Sequence, residues 1–120
     1  MSASEDRLWK HVGAALDWVD QANGRDDHEK TLRLLKLVEE TSEVAAAYIG
    51  MVGQNPRKGV THTLDDVAAE LCDVTVTALV ALATITGDTT TARTALNRHL
   101  ARRGPRLAAL LNATPERTSA

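Results

Sequence analysis

The stretch VAAELCDVTVTALVALATITG, residues 67 to 87, decides the fold of this 120-residue chain. Its Val, Leu, Ile, Ala and Cys side chains cover most of the circumference of a helix, and Glu70 and Asp73 are its only charged residues. A helix that is apolar nearly all round is typical of a protein interior. Thr63 is placed to cap the start of this helix, and Gly87 to end it. The sequence therefore predicts a buried helix at the centre of the fold.

Three further helices are predicted from apolar residues that recur at steps of three and four. They cover about residues 5–22, 26–52 and 88–111, the last with an interruption at Gly104-Pro105. Residues 53–62 break the periodicity, and the polar segment 112–120 is predicted to be a frayed tail. Only 2% of the residues are aromatic, which also favours packed helices over a sandwich or barrel. The predicted fold is all-α, with one four-helix domain over residues 1–111.

The composition narrows the classes of function. A net charge of −2 and a pI near 6.1 give no global attraction to nucleic acid or to an anionic membrane. The longest charge-free stretch, Val74–Gly87, is shorter than the ~20 residues that span a bilayer. The first residues lack the basic and apolar blocks of a signal peptide, and the single Cys72 excludes an intrachain disulfide. We therefore expect a cytoplasmic protein with no nucleic-acid or membrane partner.

Four carboxylates are predicted to meet between the second and third helices. At 100° per residue, Glu40 and Glu43 lie on one narrow face of the second helix, away from its main apolar face. Glu70 and Asp73 share the polar side of the third helix, where ionised carboxylates are costly to bury without a cation or a hydrogen-bonding partner. Oxygen ligands without His or Cys select a hard cation, Mg²⁺ or Mn²⁺. The alternatives are acids neutralised by internal Arg or Lys residues, or the solvated side of a surface helix.

These acids carry a resemblance to a known family. Glu39-Glu40-Thr41-Ser42-Glu43, followed by Glu70-Leu71-Cys72-Asp73, resembles the EExxE…ExxD pattern of the MazG-like, all-α nucleoside triphosphate pyrophosphohydrolases. The resemblance covers roughly residues 30–104. The stretch Asn97-Arg98-His99-Leu100-Ala101-Arg102-Arg103-Gly104 resembles the NxKFxxRF pattern of that family in part. Arg103 takes its basic position, whereas His99 replaces the Lys and both aromatic residues are absent.

The resemblance implies Mg²⁺-dependent hydrolysis of a (d)NTP to the nucleoside monophosphate and pyrophosphate, as in housecleaning of the nucleotide pool. It implies as metal ligands Glu40, Glu43, Glu70 and Asp73, and Glu39 or one of those ligands would accept the proton of the attacking water. The candidates for binding the phosphates are basic: Lys36, Arg57, Lys58, His99, Arg102 and Arg103. The candidates for contact with the base are Trp9 and Trp18.

Two other functions remain open at this point. One is hydrolysis of a related substrate such as phosphoribosyl-ATP, and the other is a catalytically silent helical module that binds a nucleotide or a protein. A homodimer or homotetramer is also predicted, because four small, Ala-rich helices bury limited area and the third is apolar on several sides. Part of the second or third helix is expected in that interface.

Overall fold

The computed structural model describes residues 2–113, and all the regular structure in that range is helical. Its four helices are α1 (Ala3–Asn23), α2 (Asp27–Val52), α3 (Leu64–Thr86) and α4 (Thr89–Ala113). The predicted all-α class and the four predicted helices are confirmed. Their predicted boundaries lie about two residues or less from the observed ones.

Short polar side chains start the helices at the predicted places. Asp26 accepts a hydrogen bond from the backbone N–H of Glu29 at 2.8 Å, and Asp88 accepts one from the first turn of α4 at 2.7 Å. Thr63 and Asp66 form a reciprocal capping box at the start of α3, with bonds of 3.2 and 2.8 Å. The helix starts are thus fixed by local sequence.

Two glycines shape the connection between α2 and α3. Gly53 ends α2 with a φ of 67°, in the left-handed region that favours glycine. Gly50 lies where the chain returns to α2: its carbonyl accepts a hydrogen bond from the N–H of Thr61 at 2.9 Å. A Cβ atom at Gly50 would overlap the imidazole of His62. The connection therefore closes tightly, and α2 and α3 form an antiparallel hairpin with the most extensive contact of any helix pair.

A small core joins α1 and α4 to the C-terminal half of α3. Trp9, Val12 and Leu16 of α1 pack there with Ala83 of α3 and Ala92 of α4. Partly buried apolar side chains extend this core: Leu8, Leu79, Val80, Leu82 and Leu96. The residues that α3 contributes to this core lie between Leu79 and Ala83.

The prediction that α3 is buried is wrong for the single chain. Its buried residues are Val67, Ala81, Ala83 and Thr84, because α1 and α4 cover only one half and α2 only one side. Of the described helices, α3 is also the one long and apolar enough to cross a membrane by length and composition. That is weak support for a membrane span, since the core helices of soluble proteins meet the same test.

Helix α4 continues without a break from Thr89 to Ala113, so the predicted interruption does not divide it. Pro105 lacks a backbone N–H, but its helical neighbours are exposed, and water can bond to the carbonyl oxygen that loses its partner. Residues 112–113, predicted to belong to the tail, are the last of α4. The rest of that predicted tail, residues 114–120, lies outside the described residues.

Candidate functional site

The polar face of α2 is the face that packs against α3. The buried residues of α2 are Glu29, Arg33 and Ala47, and Glu40 lies on the same side of the helix with its side chain 14% exposed. On the opposite side, the apolar residues Leu34 and Val38 are 47% and 66% exposed. Helix α2 therefore turns Glu40 inward and its main apolar face outward, while Glu39 and Glu43 are exposed beside Glu40.

The five predicted acids come together along the contact of α2 with α3, where Glu40 and Glu70 are half-buried and the other three are exposed. Carboxylate oxygens of Glu40, Glu70 and Asp73 lie within 4.8 Å of one another. The same holds for Glu39, Glu40 and Glu43. Glu40 belongs to both groups, so the two groups form one cluster, which we call the acidic cluster.

Little positive charge reaches the acidic cluster from within the chain. Lys36 Nζ lies 2.7 Å from Glu39 Oε1 and 3.7 Å from Glu40 Oε1. Within residues 2–113, no ion pair involves the other three acids. The Oε2 atom of Glu70 is buried and has no hydrogen-bond partner there. Neutralisation of the acids by internal Arg or Lys residues, the alternative to a bound cation, thus involves two of the five acids.

The surroundings of Glu43 affect its protonation. Partial loss of solvent, then the like charge of Glu70 and a carboxyl–carboxyl hydrogen bond with Glu70, raise the pKa of Glu43 above its ordinary value. The ionised form of Glu43 is therefore disfavoured by its surroundings. A divalent cation would offset the repulsion between the two carboxylates, and carboxylate oxygens are the ligands that Mg²⁺ and Mn²⁺ prefer. The donor set of the acidic cluster thus fits a hard divalent cation.

An open cleft with a volume of about 490 Å³ adjoins the acidic cluster. It lies between α1, α2 and α3, and Lys36 lines it as well as contacting Glu39. Its walls are mostly apolar, with Leu32 and Val80 among them and the 72% exposed Trp18 on one side. Clefts of this volume and character are common binding sites for small organic molecules.

A buried ion-pair network closes the end of the cleft away from the acidic cluster. Arg33 Nε donates to Glu29 at 3.2 Å, and Nη1 donates to Asp20 at 2.8 Å and to the hydroxyl of Thr84 at 3.1 Å. Nη2 donates to the carbonyl oxygen of Gly24 at 2.7 Å. One side chain thus ties α1, α2 and α3 together. The sequence reasoning missed this network, although the i, i+4 spacing of Glu29 and Arg33 on the inward face was a usable signal.

The predicted phosphate-binding residues lie in three places. Lys36 lies at the acidic cluster. Arg57 and Lys58 are exposed in the connection between α2 and α3, more than about two helical turns beyond Glu43. A shallow concavity of about 260 Å³ on α4 is lined, together with Arg106, by His99, Arg102 and Arg103. Within one chain, the structure therefore brings only Lys36 of this set into ion-pair contact with the acids.

The two tryptophans have different surroundings. Trp9 is 7% exposed and packs in the core with Val12 and Leu16, so its ring offers no free face to a ligand. Trp18 lines the cleft with most of its indole exposed. Of the two candidates for contact with a base, Trp18 has the accessible ring.

The fold and the site define an all-α protein with an acidic cluster between two antiparallel helices and an apolar cleft beside it. Comparisons of the chain with protein-family models, with curated proteins and with solved structures found no match. The resemblance to the MazG-like family is therefore carried by the quoted residues.

Proposed function

We propose that this protein hydrolyses (d)NTPs to the nucleoside monophosphate and pyrophosphate with Mg²⁺, for which Mn²⁺ can substitute. Its role in this proposal is housecleaning of the nucleotide pool. The observation that carries the proposal is the convergence of Glu40, Glu70 and Asp73, with carboxylate oxygens within 4.8 Å and one buried Glu70 oxygen without a partner. Such an arrangement suits a bound cation better than a set of internally paired acids.

In this proposal the acids have two roles. The metal ligands are Glu40, Glu43, Glu70 and Asp73, and when bound the cation offsets the negative charge that develops on the phosphate oxygens. Water adds across the anhydride linkage between the α- and β-phosphorus atoms, that linkage breaks, and pyrophosphate leaves. The water's proton passes to a carboxylate of the cluster, for which Glu39 or one of the ligands is available.

The cleft supports a substrate that has both a charged and an apolar, planar part. Lys36 stands where the cleft meets the acidic cluster, so its ammonium group can contact a phosphate oxygen. Trp18 can stack on a planar ring, and the apolar wall formed by Leu32 and Val80 suits a base. A nucleotide bound with its base in the cleft would thus have its phosphates at the acids.

The test is an incubation of the protein with each NTP and dNTP in the presence of Mg²⁺, followed by measurement of pyrophosphate and nucleoside monophosphate. We expect both products in equal amounts. Glu70→Gln should lower the rate by more than about 100-fold, because loss of residues that merely support metal ligands already costs about 10–100-fold. The matched control is Asp65→Asn, which removes an exposed charge of the same helix outside the cluster and should retain the activity.

Other outcomes separate the competing functions. Release of orthophosphate, or no turnover of any nucleotide, would contradict the proposal. A faster rate with phosphoribosyl-ATP would assign the site to that substrate. A melting temperature that rises with Mg²⁺ in the wild type but not in Glu70→Gln, without turnover, would identify a catalytically silent metal-binding module.

A further inference from the structure

The end of the cleft away from the acidic cluster has hydrogen-bond acceptors with spare capacity. Glu29 and Asn23 both line the cleft at this end, beside Arg33. The buried carboxylate of Glu29 accepts from Arg33 Nε at 3.2 Å and from Asn23 Nδ2 at 3.3 and 3.5 Å. An ionised carboxylate has about four acceptor sites, and two nitrogen donors do not fill them. Glu29 can therefore accept a further hydrogen bond from a molecule in the cleft.

The orientation of the Asn23 amide adds a second acceptor. An ionised carboxylate cannot donate, so the group of Asn23 that contacts Glu29 must be the NH₂ group. The Oδ1 atom of Asn23 is then left for other contacts, and no group within residues 2–113 donates to it. Arg33 already uses four of its five N–H groups in the ion-pair network. A ligand at this end of the cleft therefore meets mainly acceptors, which favour N–H donors.

This polar end lies in line with the acidic cluster along α2. At 100° per residue, Glu29, Lys36 and Glu40 lie within about 40° of one another on the helix. With a rise of 1.5 Å per residue, Lys36 is about 10 Å and Glu40 about 16 Å from Glu29 along the helix axis. A nucleotide that lies along α2, with its phosphates at Lys36 and Glu40, would therefore present the far edge of its base to Glu29.

We propose that Glu29 and Asn23 select nucleotides whose base has an amino group at its far edge, which are those of cytosine and adenine. This inference rests on the proposed function, since it places the phosphates at the acidic cluster. The amino group offers two N–H donors on one nitrogen, and a carboxylate is a suitable acceptor for it, as in contacts of Glu or Asp with cytosine N4.

Bases with a carbonyl group at the same position should be disfavoured: uracil, thymine, guanine and hypoxanthine. Their carbonyl oxygen would face the carboxylate of Glu29, so that two acceptors meet without a proton between them. A polar site that is left unpaired in this way discriminates strongly, because the lost hydrogen bond and the desolvation of the buried group both count against the wrong ligand. The polar end of the cleft is thus a specificity site for the base.

The experiment is a calorimetric titration of the full chain, without Mg²⁺, with two pairs of mononucleotides: dCMP against dUMP, and dAMP against dIMP. Within each pair the ring size, sugar and phosphate are the same, and an amino group is exchanged for a carbonyl group. The wild type should bind the amino member at least about 10-fold more tightly, as one hydrogen bond to a charged group implies. Glu29→Gln keeps the size of the side chain but can donate as well as accept, so both ratios should fall below about 3-fold.

The matched control is Asp20→Asn. Asp20 belongs to the same ion-pair network, with its Oδ1 atom 2.8 Å from Arg33 Nη1, but it is not among the residues that line the cleft. This variant should melt at a lower temperature and keep the preference for the amino member of each pair. Loss of the preference in Asp20→Asn as well would attribute it to a loosened network and overturn the proposal.

Other results also overturn it: equal affinities within either pair in the wild type, an unchanged preference in Glu29→Gln, or no binding of any of the four nucleotides. If Glu29→Gln does not fold by circular dichroism, the two wild-type ratios decide. Hydrolysis is judged separately. A preference in binding without release of pyrophosphate contradicts the proposed function alone, whereas equal binding with equal kcat/KM for dCTP and dUTP contradicts base selection alone.

Discussion

Replacing Arg33 by Met should strongly destabilise the fold. The Arg33 side chain is 7% exposed and donates four hydrogen bonds to groups on α1, α2, α3 and the α1–α2 connection. Without it, the buried carboxylate of Glu29 keeps, among the described residues, only the side-chain amide of Asn23, at 3.3 and 3.5 Å. Asp20 is less affected because it retains Arg25 at 2.5 Å. The cost should therefore come mainly from the uncompensated charge of Glu29.

The expected loss of stability follows from the partners that each carboxylate keeps. Removal of one member of a buried ion pair costs about 3–5 kcal/mol, and replacement of both members by apolar residues is often close to neutral. We expect Arg33→Met to lose about 3 kcal/mol, which at this chain length lowers the melting temperature by about 10 °C. Glu29→Met should lose less, about 1–2 kcal/mol, because Arg33 keeps its bonds to Asp20, Thr84 and Gly24.

The assay is urea unfolding followed by circular dichroism at one fixed protein concentration, for the two single variants and Glu29→Met/Arg33→Met. The double variant should be more stable than Arg33→Met, since no charge is left buried without a partner at position 29. A loss below about 1 kcal/mol in Arg33→Met would refute the reasoning. A double variant whose loss equals the sum of the single losses would refute it equally.

Two further predictions follow from the acidic cluster and from the glycines. The pKa of Glu43 is raised above its ordinary 4.5, so the stability that it contributes is present below that value and is lost as pH rises through the raised pKa. Glu43→Gln should therefore melt higher than the metal-free wild type at neutral pH and respond less to Mg²⁺, as thermal melts from pH 4 to 8 would show. An equal melting temperature for both at neutral pH would contradict this. Gly50→Ala should destabilise the fold, because its Cβ meets His62, whereas Gly104→Ala, in the open interior of α4, should gain about 0.5–1 kcal/mol. Urea unfolding compares the two, and the same sign for both would contradict the prediction.

The helices and the acidic cluster could be predicted because their signals are local. The caps Asp26, Thr63 and Asp88 act within one helical turn, and the spacing of Glu40 with Glu43 and of Glu70 with Asp73 fixes the face on which each pair lies. Glu70 and Asp73 are the only charged residues of an otherwise apolar stretch, and this predicted that the pair on α2 faces them. These predictions needed no knowledge of long-range packing.

Other features could not be predicted because they depend on which elements meet. An apolar row on α2 indicates that something covers it, but the row is the same whether the cover is α3, α1 or another molecule. The i, i+4 spacing of Glu29 and Arg33 indicates an ion pair, but it does not indicate that Asp20 and Thr84 contact Arg33 from other helices. The basic residues of α4 were expected near the acids, yet α4 packs on α1 and α3 by its N-terminal half and holds Arg102 and Arg103 elsewhere.

The way in which Arg33 closes the cleft has a practical consequence. Arg33 is hydrogen-bonded to all three helices that form the cleft walls, and a molecule bound in the cleft would contact the same three helices. Occupancy would then raise the melting temperature, by an amount that grows with the ratio of ligand concentration to dissociation constant. Arg33→Met lacks the hydrogen bonds of the guanidinium group, so the same ligand would stabilise a protein that unfolds at a lower temperature. A thermal-shift screen of nucleosides and nucleotides on this variant could find what fills the cleft without any assay of turnover.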